Sequence, residues 1–423
     1  IDMSRRSGIA NDIFIRGQKR DNISIEVDGT KVCGACPNRM DPPVSHILAS
    51  QIDEITVIEG PYDVETFGTM SGGLKITTKK PSKDLHGELN FGAGSWGYNK
   101  LGATISGGND VIRLLVSASN ESSDQYRDGN GDTLAEQASK SPNAYAAQYS
   151  DIKAYTKKSV MAKAHISVTE DQELQISMTK NKSDDVLYAN TPMDAVYDYS
   201  NIYSVAYDVK DITDSYKNIN IQYYYSDVDH PMSTQYRVTG AATYMTNQLQ
   251  TTMQGVKLKN SFDIDGFDLL VGLDGSKRTW GGVKFGTSAT TGMVNPASIS
   301  VSLTDTTTRN NALFAKLERS YGDLGFTLGL RYDQTNVSPA DVTKVENDYT
   351  GINANLVTTY NLDKSNKLFA GIGQANRVPD ARELYIGGSG NQNLDQVTNQ
   401  EIDLGYEHDS DLMKLKLKGF YSK

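Results

Sequence analysis

The sequence predicts an all-β membrane barrel preceded by a small α/β unit. Three observations point there. Segments in which apolar and polar residues alternate recur along most of the chain, roughly 14 of them, against a rule of about ten residues per spanning strand. Short turns take turns with long polar connections. Tyr and Gly are abundant, 24 and 37 of 423 residues, while AVILMFWYC residues reach only 38%. That balance suits two-faced strands better than helix bundles. No stretch approaches the ~18 apolar residues of a spanning helix, which leaves a strand-built span untouched.

Residues 1–83 form the first unit. Ile13-Phe14-Ile15 leads into Arg16-Gly17, and Ile23 to Val27 alternates and ends on Asp28-Gly29, a hairpin turn signal. Asp41-Pro42-Pro43 is punctuation, and Val44 to Ser50 fits a short helix. Ile55 to Ile58 is a strand stopped by Gly60-Pro61, and Gly72-Gly73 precedes the strand Leu74 to Thr78. Lys79, Lys80 and Lys83 read as a solvated linker.

Residues 84–423 carry the barrel. Leu85, Gly87, Leu89, Phe91 and Ala93 alternate with polar neighbours, as do Ile112, Leu114 and Val116, then Phe326, Leu328 and Leu330. Residues 107–110, 169–172 and 321–323 are short turns; 121–157, 183–214 and 278–308 are expected as long polar segments. Lys414, Lys416 and Lys418 follow a strand with Glu401, Asp403 and Glu407 on its polar face. If these two strands pair, opposite charges meet across the ladder, which a hydrated lumen tolerates and a dry core does not. The competing fold is a soluble β-sandwich or β-solenoid with one wet face.

A formal net charge of -10 argues against a nucleic-acid partner. Five scattered His and two Cys argue against a large metal cluster or a disulfide scaffold. No nucleophile–base set, acid/base pair or phosphate loop stands at workable spacing, so no enzyme is expected. Asp128-Gly129-Asn130-Gly131-Asp132 opens like a calcium loop, but Thr133 and Ser139 occupy the positions that need Gly and Glu, which leaves a turn-rich surface loop.

The first unit resembles the plug domain of TonB-dependent outer-membrane receptors. The resemblance rests on Phe14-Ile15-Arg16-Gly17, on Ile25 to Gly29, on Ile52 to Pro61, and on the closing stretch Phe67 to Pro81. Glu59 departs from it, standing where the family usually has a basic residue. Arg377-Val378-Pro379, Glu383-Leu384 and Gly390 to Leu394 resemble a late extracellular loop of that family. The resemblance implies a 22-stranded barrel with its lumen plugged. With about 14 strands visible, a chain cut at both ends is expected. It further implies the outer membrane of a Gram-negative bacterium, contact with its lipid and lipopolysaccharide, a monomer, and TonB with its inner-membrane energising complex as partner.

Cys33-Gly34-Ala35-Cys36-Pro37-Asn38-Arg39-Met40 puts two thiols and a thioether in eight residues. Thiolate and thioether select Cu(I) over hard cations. The loop resembles the copper-receptor branch of the family, in which Cys-x-x-x-Met supplies plug ligands; Cys36 and Met40 match that pattern. The branch adds two wall methionines, and Thr191-Pro192-Met193-Asp194 and Asp229-His230-Pro231-Met232 resemble their contexts. The resemblance therefore implies copper as transported ligand, free or on a carrier, held by Cys36, Met40, Met193 and Met232. Cys33, His46 and His230 are auxiliary candidates. Other readings stay open: a Cys33–Cys36 disulfide, methionines that only pack, a receptor for a siderophore, haem or cobalamin, or a β-rich adhesin without transport.

Overall fold

A computed structural model describes residues 1–423. The N-terminal unit holds β1 (Asp2–Arg5), β2 (Asn11–Phe14), β3 (Ser24–Val27), β4 (Thr30–Lys31), β5 (Ile52–Glu59) and β6 (Gly72–Thr78). Strands β1 and β2 form their own ladder; the others make a four-stranded sheet in the order β4-β3-β6-β5, with β3 and β6 parallel. Its helical part is three single turns of 3₁₀ helix, Arg20–Asn22, Pro43–His46 and Ala49–Gln51, the last two within the segment expected as one short helix. Ile47 and Leu48 stand in extended backbone between the two turns and split that segment. Ile15, Ile23, Ile25, Val27, Leu74 and Ile76 close the unit's core, and Ile202 from the wall joins them. Burying each such side chain contributes roughly 1.5–3 kcal/mol.

The wall is one antiparallel sheet of 15 strands, each hydrogen-bonded to its sequence neighbour. They are β7 (His86–Ala93), β8 (Asn99–Gly108), β9 (Ile112–Ser123), β10 (Tyr155–Thr169), β11 (Gln172–Val186), β12 (Asp194–Lys210), β13 (Tyr216–Ser233), β14 (Thr243–Ile264), β15 (Phe267–Ser288), β16 (Ser300–Tyr321), β17 (Leu324–Pro339), β18 (Asn347–Asn361), β19 (Asn366–Arg377), β20 (Val397–Asp409) and β21 (Lys414–Ser422). The sheet is open between β7 and β21. Fifteen strands stand where the alternation indicates about fourteen.

The faces are inverted relative to a soluble sandwich. Leu89, Phe91, Leu101, Ile105, Leu114, Leu313, Leu330, Ile402 and Leu404 are exposed, while Thr104, Ser117, Asn310, Arg331, Asp333, Glu401 and Asp403 are buried on the other face. An apolar outer face with a polar interior suits a wall standing in hydrocarbon. On the last pair, Lys416 meets Glu407 at 2.6 Å and Lys418 lies 3.7 Å from Asp403.

Two of the three long polar segments are shorter than expected. Residues 183–214 contain β12, and most of 278–308 belongs to β15 and β16. On β12, for example, the inner face carries Asp198, Ser200 and Ser204 and the outer face Tyr197, Tyr199 and Tyr203, so it lacks the apolar period that marks a strand. Residues 124–154 do form a long connection, carrying α1 (Leu134–Ala138) capped by Thr133 and Glu136. The connection 378–396 carries α2 (Ala381–Tyr385), capped by Asp380 and Glu383.

The N-terminal unit fills the concave side through polar contacts. Fully buried Arg331 pairs with Asp274 and Asp333 at 2.9 Å and donates to the backbone oxygens of Val64 and Glu65. Lys163 reaches Asp28 at 2.9 Å, and Lys257 reaches Glu26 at 3.2 Å. Arg16 pairs with Glu401 and Asp403 of β20, and Glu59 lies 3.6 Å from Arg16 and 3.4 Å from Lys418. The acid at position 59 thus finishes a charge cluster whose basic members come from elsewhere.

Candidate metal site

The loop Cys33–Met40 lies at the top of the N-terminal unit and is shaped by Asp41. The Asp41 carboxylate accepts the amides of Ala35 at 2.5 Å and Cys36 at 2.9 Å. Gly34 is required there, since a Cβ would stand 2.3 Å from the Asp41 carbonyl oxygen. The chain then turns tightly: the Arg39 amide donates to the Cys36 carbonyl at 2.9 Å, with Arg39 at a φ of 59°. That turn returns Met40 to the side of Cys36.

Three wall side chains hold the loop. Trp280 donates its indole N–H to the Ala35 carbonyl at 2.7 Å, Arg278 reaches the Gly34 carbonyl at 3.2 Å, and the Tyr188 hydroxyl donates to the Met40 carbonyl. A loop fixed by β15 and by the segment after β11 presents its sulfurs to the wall in one geometry.

Cys36, Met40 and Met232 are buried in one cluster with Tyr155, Val186, Tyr188 and Ala195, and partly buried Met193 packs against it. The structure therefore brings together all four residues expected as the principal donors, two from the N-terminal unit and two from the wall. Met232 stands near the end of β13, opposite Ala195 of β12 and Asn247 of β14. Met193 precedes Asp194, which is locked in place. Arg237 grips both Asp194 oxygens, at 2.6 and 2.7 Å, the Tyr145 hydroxyl donates to the same carboxylate at 2.8 Å, and the Arg237 guanidinium lies 3.8 Å from the Tyr145 ring centre. This buried knot ties residues 143–145 of the long connection to the strand start that carries Met193.

Cys33 is buried but separate. It lines a small cavity with Ile25, Lys31, Phe67, Met253 and Arg278. Both thiols are free. His46 and His230 are almost fully buried and flank Asp198, with Nδ1 atoms 3.7 and 3.3 Å from its two oxygens. Cys36, Asp41 and His230 offer ligand atoms within 4.8 Å of one another. Asp41 and Asp198 are the members the sequence did not single out. Asp41 was hidden as turn punctuation before two prolines, and Asp198 fell in a segment without a strand signal.

A family profile described as TonB dependent receptor-like, beta-barrel, matches residues 116–423. Among solved structures, the chain is similar to the copper transporter OprC, with a TM-score of 0.86, 21% identity, and coverage of 99% of this chain and 66% of that one. It is also similar to the ferric citrate transporter FecA in its unliganded form, with a TM-score of 0.75, 15% identity and 100% and 65% coverage. The FrpB iron transporter from Neisseria meningitidis (F3-3 variant) gives a TM-score of 0.73, 14% identity and 100% and 68% coverage. At these identities the likeness is one of fold. The chain spans about two-thirds of the length of these structures. No curated protein matches it.

Proposed function

The chain belongs to the TonB-dependent receptor-like β-barrel family, and from that premise we propose that it serves an outer-membrane receptor that binds and imports copper. The family and its structural neighbours are receptors and transporters, not enzymes. One observation carries the copper reading: Cys36, Met40 and Met232 are buried in one cluster, with Met193 packed on it. A thiolate and three thioethers favour Cu(I), and the bound ion would neutralise the thiolate.

Donors split between plug and wall make release mechanical. Cys36 and Met40 move with the N-terminal unit, which acts as the plug; Met193 and Met232 stay with the wall. A plug displaced by TonB, driven by the inner-membrane complex, parts the two pairs and weakens the site. Water can satisfy the polar contacts that must break, such as Arg331 with Val64 and Glu65; at the site itself the seam is apolar, with Ile9, Ala10, Cys36 and Met40 packed on Tyr155, Val186, Tyr188 and Ala195. The setting is the outer membrane, with lipid and lipopolysaccharide against the apolar face. Copper reaches the site free or from a carrier.

Copper content of the full-length protein in detergent, loaded under reductant, tests this. Near one equivalent is expected, with affinity at least about tenfold weaker in Cys36→Ser and in Met232→Leu. Met→Leu conserves volume, so a pure packing role would leave copper binding intact. A parent chain that retains no copper but binds a ferric chelate would replace this reading with siderophore uptake.

A further inference from the structure

Beside the sulfur donors lies a second cluster that uses none of them. Asp41, His46 and Asp198 offer two carboxylate oxygens and an imidazole nitrogen, all within 4.8 Å of one another and all buried. Donors around one first-row divalent ion, at about 2.0–2.2 Å from it, stand up to ~4.4 Å apart. His46 Nδ1 and Asp198 stand 3.7 Å apart, inside that span. Asp41 and His46 come from the plug and Asp198 from β12, so this cluster also spans the seam.

The cluster holds an atom without a partner. The Nε2 atom of His46 has no hydrogen bond, although the ring is 1% exposed. Buried polar atoms without partners are rare and costly, and each asks for a ligand. Neither carboxylate has a lysine or arginine within ion-pair distance. Asp41 is held by backbone amides alone, and Asp198 faces only the two imidazoles within ion-pair distance. The nearest lysine, Lys157, spends its ammonium on the carbonyls of Ser45 and Ile47. Buried carboxylates are stable when paired or bound to a metal.

We propose that Asp41, His46 and Asp198 form a second cation station that takes a divalent ion of borderline hardness, Cu²⁺ or Zn²⁺, through oxygen and nitrogen. Such donors suit divalent ions as thioethers suit Cu⁺. Asp41 belongs to this set and also to the group with Cys36 and His230. It is the edge that the two sets share. The station as a binding site does not rest on the import reading.

The full-length protein in detergent, carrying Cys36→Ser and Met232→Leu to disable the sulfur set, is titrated with Cu²⁺ without reductant and followed by electron paramagnetic resonance. One Cu²⁺ per chain with nitrogen and oxygen ligation is expected. Its affinity drops at least about tenfold on adding Asp198→Asn or, separately, His46→Gln. Heat-modifiable migration on gels reports folding of each variant, and if Asp198→Asn fails to fold, His46→Gln decides. No bound Cu²⁺, or Cu²⁺ binding indifferent to the substitutions, would overturn the second station. A parent that takes no Cu⁺ while the Cu²⁺ signal appears would sink the import reading and leave the station standing.

Discussion

Asp380 shows what one carboxyl can do at the seam between plug and loop. It caps α2 by accepting the Glu383 amide at 2.8 Å, and the Asp21 carboxylate of the N-terminal unit acts on it electrostatically. Burial and the nearby Asp21 charge push Asp380 up to about 7. Burial works on Asp21 in the same direction, but Arg39 and Arg278 beside it hold it below the usual carboxylate range. The folded loop therefore keeps a proton on Asp380 that an undocked loop would lose near pH 4. Docked chains bind more protons than undocked ones between about pH 4 and 7, so docking weakens as pH rises through that window. Hydrogen exchange in residues 381–390, corrected for intrinsic rates, should show more protection at pH 5.5 than at pH 8. Asp380→Asn should flatten the difference; a pH-independent parent would refute the retained proton.

At the scale of elements, the knot of Arg237, Asp194 and Tyr145 governs how well Met193 is aimed. Removing one partner from a buried ion pair costs about 3–5 kcal/mol because the other charge stays buried. Arg237→Ala should therefore free residues 124–154 and loosen the start of β12. Copper should still bind to the remaining donors but dissociate at least about tenfold faster, a loss of about 1.4 kcal/mol. Stopped-flow release to a chelator checks this; unchanged release would leave the knot a fold device only. The same elements show which parts of the sequence were readable. Turns at 107–110, 169–172 and 321–323 were legible because Gly, Asn and Asp mark them chemically. Strand β12 was not, because Asp198, Ser200 and Ser204 face a polar interior and erase the usual contrast. Cys36 and Met40 could be found because they are neighbours in sequence. Asp198 meets His46 and His230 only through strand pairing and plug docking, and no local pattern announces that.

For the whole molecule, the N-terminal unit meets the wall through many charges and hydrogen bonds, with apolar contact gathered at Ile202, at Ala35 and around Cys36 and Met40. A unit so fastened can shift while exposing only these local apolar patches. Capture and import should then be separable. Cells without TonB should bind copper at the surface as well as wild type, yet accumulate none through this receptor. Isotope uptake after a chelator wash measures the difference, and accumulation without TonB would contradict the family mechanism.

The position of Met232 along its strand sets an altitude. It lies 16 steps from Tyr216, where β13 leaves a short turn, and at about 3.3 Å per residue and a tilt near 40° that is a climb of about 40 Å. The apolar band of such walls is only ~25 Å tall. An ion held at the proposed site would sit above the hydrocarbon, and its charge would feel little of the lipid's thickness or composition. Changing acyl chain length should leave the grip alone and alter only the descent that follows.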